Sequence, residues 1–141
     1  MRKEDKKLLF RDICARLPYK VKVFYEYIDD LDGKTYGYSL TLNTWCINEF
    51  VANKAVIKPY LRPMSSMTDE ELYEVQGILG KGVEIHDVFI SIVDSSINTF
   101  SYLELQALFD WLNEHHFNYR GLIEKGLALE APEGMYNIKE K

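Results

Sequence analysis

Histidine, cysteine, serine and clustered carboxylates are the side chains of this chain that can do chemistry, and their spacing decides whether they do. The three histidines are His86, His115 and His116. Neighbouring residues on a helix point about 100° apart, so His115 and His116 do not converge on one ion. Neither an HExxH nor a His-x₃-His spacing occurs. A protonated imidazole is favoured near a helix C-terminus, which gives the pair a structural use at the end of a predicted helix. No metal site is expected. Cys14 and Cys46 form no CxxC pattern and read as reduced thiols, with Cys14 on an apolar helix face. Ser65 and Ser66 precede a helix start, where serines cap or turn the chain, and no GxSxG elbow is present. Asp29, Asp30 and Asp32 fall in a turn, where aspartate hydrogen-bonds its own backbone. Gly80-Lys81-Gly82 lacks the rest of a phosphate-binding loop. The residues therefore predict no catalytic centre, no cofactor and no metal, and a protein that is not an enzyme.

Binding is the better use for what remains. There are ten tyrosines, whose rings pack while their hydroxyls stay polar. Tyr119 and Arg120 fall in a predicted turn, and Arg62 lies inside the segment KPYLRPMSSM, stiffened by two prolines. A guanidinium in such a place either hydrogen-bonds nearby carbonyls or offers a fork to a partner's carboxylate or phosphate. Tyr119, Arg120 and Arg62 are the candidate partner-binding residues.

Charge and composition narrow the partner. Residues 1–22 hold eight Lys/Arg against three Asp/Glu, and the remainder holds nine against nineteen, so a balance of +5 is followed by one of −10. The basic start raises a nucleic-acid reading, but a helical wheel scatters Lys7, Arg11 and Arg16 around the helix, and the body is acidic. The expected partner is a protein or a second copy. Nucleic acid bound through the basic first helix is the alternative. The 141 residues, 47% of them apolar, fit one globular domain over 1–141. No run approaches the roughly 20 apolar residues of a membrane span, and no signal peptide is read, so no membrane partner and a cytoplasmic location are expected.

The elements that must position these residues follow from periodicity. Residues 4–17 predict a helix with Leu9, Phe10, Ile13, Cys14 and Leu17 on its apolar face, stopped at Pro18. KVKVFYEYI predicts a strand with Val21, Val23, Tyr25 and Tyr27 on one face. DDLDGK supplies a turn in which Gly33 is free to take positive φ. TYGYSLTL is its partner, with Tyr36, Tyr38, Leu40 and Leu42 on one face. Alternation from Trp45 to Val51 predicts a third strand, and residues 54–58 a weaker fourth. Thr68 to Glu71 forms a capping box, opening a helix to about Leu79 that ends at Gly80. VEIHDVFISIV predicts one further strand with a bulge near His86 and Asp87. Ser101 and Glu104 form a second capping box. The helix after it has a core stripe of Leu105, Leu108, Phe109 and Leu112, with Trp111 at its edge. Leu122 to Lys125 predicts a helical turn stopped by Gly126, and Leu127 and Leu129 one face of a short last strand.

Three stretches carry a resemblance. "LFRDICARLPYKVKV" (9–23), "KPYLRPMSSMTDEE" (58–71) and "DWLNEHHFNYRGLIEKGLALEAPEGMY" (110–136) cover about two fifths of the chain. They resemble a family of short proteins encoded by anaerobic gut bacteria and their phages or prophages. That family has no assigned activity, so the resemblance implies a mobile-element context and no catalytic residue. Residues 72–109 carry no part of it.

The sequence thus predicts an α+β fold: an N-terminal helix, an antiparallel meander curled towards a small barrel, two later helices and a short C-terminal strand. The predicted role is a non-enzymatic interaction or structural module of phage or prophage origin.

Overall fold

A computed structural model describes residues 1–79, 83–85, 90–92 and 102–136. The fold is α+β. The chain divides into two compact units, one formed by residues 1–61 and 122–141 and the other by residues 62–121.

In the first unit, helix α1 (Lys3–Arg16) precedes strand β1 (Lys22–Ile28), strand β2 (Thr35–Thr41), helix α2 (Thr44–Val51), strand β3 (Ala55–Leu61) and strand β6 (Leu129–Glu130). The β1–β2 hairpin is the predicted one. Gly33 takes φ +69, and the Asp29 and Asp32 carboxylates accept from the backbone N–H groups of Leu31 and Lys34. Seven continuous pairs run from Lys22↔Thr41 to Ile28↔Thr35.

The region after the hairpin departs from the expectation. Residues 44–51 are a helix, not a third strand. The Asn43 side chain accepts from the Cys46 N–H at 3.0 Å, a helix N-cap. Cys46 and Phe50, four residues apart, are the buried pair, while Trp45 and Val51 are exposed. The alternation of apolar residues was incidental, and the helical spacing decided the structure.

The sheet order is β2-β1-β3-β6. It is therefore not a simple antiparallel meander: β3 pairs antiparallel with β1, and β6 lies parallel to β3. The sheet is mixed and open, with β2 and β6 at its edges among the described residues. Pro59 is tolerated inside β3 because its nitrogen points away from β1, on the side where β6 pairs only from Tyr60 onward. Leu9, Ile13, Val21, Val23, Cys46, Phe50, Ile57, Leu61, Leu122 and Leu127 form the core of this unit. Phe10 and Cys14, expected on the buried face of α1, are exposed; Asp12 and Arg16 are buried there instead, as an ion pair of 2.8 Å. The Tyr136 hydroxyl closes the unit: it donates to the Tyr60 carbonyl and accepts from the Lys22 N–H, each at 2.8 Å. Burial pushes its phenol up to about 12, although the Lys22 N–H and the charge of Arg16 act the other way.

The second unit contains helix α3 (Asp69–Leu79), strands β4 (Val83–Ile85) and β5 (Ile90–Ile92), and helix α4 (Tyr102–Glu114). The first capping box is complete: Glu71 N–H donates to Thr68 Oγ1 at 3.1 Å, and Thr68 N–H to Glu71 Oε1 at 3.0 Å. Where one bulged strand was expected, two strands pair antiparallel, Val83↔Ile92 to Ile85↔Ile90. His86 and Asp87, the predicted helix end at Gly80, the Gly80-Lys81-Gly82 stretch and the Ser101 half of the second capping box lie outside the described residues. The core holds Met64, Val75, Leu79, Leu108, Trp111, Leu112 and Phe117. The stripe of α4 is thus rotated from the expected one. Trp111 is buried and donates to Glu74 at 3.0 Å, while Leu105 and Phe109 face out.

Candidate interaction surface

The predicted partner-binding residues divide in two. Arg62 is only 5% exposed. Its guanidinium grips Glu71 with two bonds, Nη1 to Oε2 at 2.8 Å and Nη2 to Oε1 at 2.7 Å, and lies 4.1 Å from the centroid of the Phe117 ring. The fork that could have met a partner is engaged inside the unit. Burial alone would push the Glu71 carboxyl up. Hydrogen bonds from Arg62 and Thr68, with the guanidinium charge, outweigh it and hold the group below the ordinary carboxylate range. Tyr119 and Arg120 are half-buried. The Tyr119 hydroxyl donates to Asn113 at 2.9 Å, and the Arg120 guanidinium sits 5.0 Å from the Tyr119 ring centroid.

The histidine pair ends α4. His116 takes φ +65, the left-handed conformation that closes a helix, and Phe117 N–H returns to the Leu112 carbonyl at 3.0 Å. The His115 ring stacks on Trp111 with centroids 4.1 Å apart, and its Nδ1 lies 2.9 Å from the Trp111 carbonyl. Among the described residues no three His, Cys, Asp or Glu side chains are grouped to hold a metal ion. Burial pushes the thiol of Cys46 up, away from the thiolate that a nucleophile needs. Among the described residues no helix is long and apolar enough to cross a membrane.

Among the described residues a cluster of aromatic rings reaches the surface in the first unit, where the face of the β1–β2 hairpin meets Trp45 of α2. The register sets Tyr25 opposite Tyr38 and Tyr27 opposite Tyr36. Period-2 alternation then places all four rings on one face. Their centroids are 5.4 Å apart for Tyr25–Tyr38, 6.0 Å for Tyr27–Tyr36 and 6.4 Å for Tyr27–Tyr38, the last edge-on. Trp45, at the start of α2, stacks on Tyr25 at 5.0 Å. Tyr25 is buried at the root of the cluster, and Tyr36, Tyr38 and Trp45 are 41%, 44% and 49% exposed.

Carboxylates flank the rings. Burial raises the Tyr25 phenol, and the charge of Glu49 and a hydrogen bond to it raise it further. Tyr36 donates to Asp32, and that bond lowers the Asp32 carboxyl. Beside this cluster an open groove of about 1060 Å³ is lined by Tyr25 and Tyr27, by the carboxylates of Glu26, Asp29, Asp30 and Glu49, and by the ammonium groups of Lys6 and Lys54, so carboxylates outnumber cations along it. Ring faces edged by negative charge attract cations, through the ring quadrupole and by ion pairing.

The tyrosines of this surface were legible in the sequence as one face of a hairpin. Trp45 and Glu49 were not, because they were read as strand residues. The signal was Asn43, an N-cap residue two positions before Trp45. Comparison with protein-family models, curated proteins and solved structures returns no match.

Proposed function

We propose that this protein is a non-catalytic interaction module, of phage or prophage origin and working in the cytoplasm, that binds a protein partner through the Tyr27–Tyr36–Tyr38–Trp45 surface. The carrying observation is that cluster of rings beside Glu49 and Asp32, with Tyr36, Tyr38 and Trp45 exposed and Tyr27 partly buried among them. Tyrosine and tryptophan are the side chains that anchor protein interfaces. They supply large rigid contact area at small entropic cost. The acidic edge selects a partner segment that presents arginine, which can stack on a ring and pair with a carboxylate at once. The acid excess of residues 23–141 adds long-range attraction for such a segment. The mobile-element context rests on the three stretches of family resemblance.

Titration calorimetry with a short Arg/Gly-rich peptide tests this reading. Saturable binding is expected, weakened about tenfold by Trp45→Ala or Tyr27→Ala and weakened as salt rises. A Glu/Gly-rich peptide of equal length should not bind. Equal affinity for wild type and both variants would exclude this surface. Salt-sensitive binding of duplex DNA in place of the peptide would favour α1: its Arg16 is buried, but Lys3, Lys7 and Arg11 are exposed at four-residue spacing, less scattered than expected.

A further inference from the structure

The hairpin carries a second feature, in its backbone. Strand β2 is an edge, paired on one side with β1 and on the other with no described strand. The bonds Leu42 N–H to Val21 O and Asp29 N–H to Lys34 O, both 2.9 Å, fix the phase of the ladder. In an antiparallel ladder backbone groups alternate between the two sides of the strand. Residues 36, 38, 40 and 42 therefore face β1, and Thr35, Gly37, Ser39 and Thr41 turn their N–H and C=O groups outward.

Natural edge strands are blunted by charge, proline, bulges or short length. TYGYSLT has none of these protections. It holds no charged residue and no proline, and its seven pairs with β1 run without a bulge.

We infer that β2 pairs with β2 of a second copy, antiparallel and about a two-fold axis at Tyr38, joining two sheets into one. The charge pattern identifies the occupant. The chain is net negative, yet this strand is neutral along its whole length, so self-pairing brings no like charges into opposition. The register also closes on itself. Tyr38 is the central residue of Thr35–Thr41. An axis there sets Thr35 opposite Thr41 of the second copy, and Gly37 opposite its Ser39, as hydrogen-bonded pairs, so every outward group finds a partner. Tyr38 meets Tyr38 as a non-hydrogen-bonded pair, the closer kind, and Tyr36 meets Leu40. The tyrosine face then continues across the junction. This pairing does not depend on the proposed function: it uses the strand's backbone edge, whereas peptide capture uses the ring faces.

Sedimentation velocity on the full chain, without peptide, tests the pairing. The wild type should pass from monomer to dimer as concentration rises. Ser39→Pro removes an outward N–H, together with the Ser39 Oγ bond to the Tyr60 hydroxyl on the sheet face, and should stay monomeric at concentrations where the wild type is dimeric. Tyr38→Lys and Tyr38→Glu should each be monomeric alone, through like charges at the axis, and an equimolar mixture should recover the dimer. Circular dichroism melts establish that each variant folds. If Ser39→Pro does not fold, the charge pair carries the test. In a Cys14→Ser background, Tyr38→Cys should form a disulfide-linked dimer on air oxidation. The pair would sit about 4.5 Å apart between Cα atoms, inside the roughly 4.4–6.8 Å range a disulfide spans. A wild type that stays monomeric at every concentration would overturn the inference. So would charge variants that dimerise alone as well as they do mixed.

Discussion

Replacing Arg62 by alanine should cost stability, not partner affinity. The substitution leaves the Glu71 carboxylate fully buried with its strongest partner gone. Breaking a buried ion pair from one side costs about 3–5 kcal/mol. Loss of the guanidinium from the Phe117 ring, 4.1 Å away, adds about 0.5–2 kcal/mol. The total, about 3.5–7 kcal/mol, spans the lower bound of a small domain's stability, about 5 kcal/mol. Arg62→Lys keeps the charge but not the fork and should lose roughly half as much. The double variant Arg62→Met/Glu71→Leu should recover only part of the loss: an apolar pair of similar volume often replaces a buried ion pair at little cost, but the Thr68 N–H loses its Glu71 acceptor. The two tryptophans make the assay local. Trp45 is half-exposed and can become phenylalanine, leaving the buried Trp111 to report on the second unit during urea unfolding. A loss below about 1 kcal/mol for Arg62→Ala, with the midpoint unchanged, would refute the reasoning. Arg62 would then return to the candidates for partner binding.

Other outcomes follow from the same contacts. Because the Tyr136 phenol is raised from its ordinary 10 to about 12, it contributes stability that is fully present below pH 10 and lost as pH rises towards 12. Tyr136→Phe should flatten that alkaline decline in pH-dependent melts and lower neutral-pH stability by about 1–3 kcal/mol, since it strips a partner from the Tyr60 carbonyl and the Lys22 N–H. A Cβ on Gly37 would stand 2.4 Å from Cζ of Phe24. Gly37→Ala should therefore destabilise the wild type by about 1 kcal/mol in chemical denaturation but stabilise a Phe24→Ala background, where only the strand preference for alanine over glycine remains. Lys20 is exposed with φ +59, a conformation costly for a residue with a Cβ. Lys20→Gly should raise the thermal midpoint by an amount worth about 0.5 kcal/mol, and a fall would show that the lysine side chain contributes there.

What could be read from the sequence was what local rules control. The first helix, the hairpin with its Asx turns and Gly33, and the Thr68–Glu71 capping box depend on neighbours a few residues away, and all are present. Helix α2 was missed because an apolar alternation outweighed a single N-cap residue. The sheet order was not legible, because pairing of β1 with β3 and of β3 with β6 is decided by packing between distant segments. Arg62 shows the same limit at a site. Glu71 was visible as a capping residue, but its second role depended on how residues 62–68 turn, which brings a guanidinium nine positions away onto the same carboxylate. The tyrosine face was legible from register alone. That Trp45 and Glu49 complete it followed only once α2 was known to be a helix.

Binding of a basic protein segment to the proposed Tyr27–Tyr36–Tyr38–Trp45 surface can be read residue by residue. The two indole N–H groups give separate reporters in an amide correlation spectrum of the labelled full chain, Trp45 within the surface and Trp111 buried in the other unit. Titration with the Arg/Gly-rich peptide should move the Trp45 indole and the amides of Tyr36 and Tyr38 along one saturable curve, and leave the Trp111 indole in place. A spectrum in which those signals stay fixed while the peptide moves others, or moves none, would contradict the account.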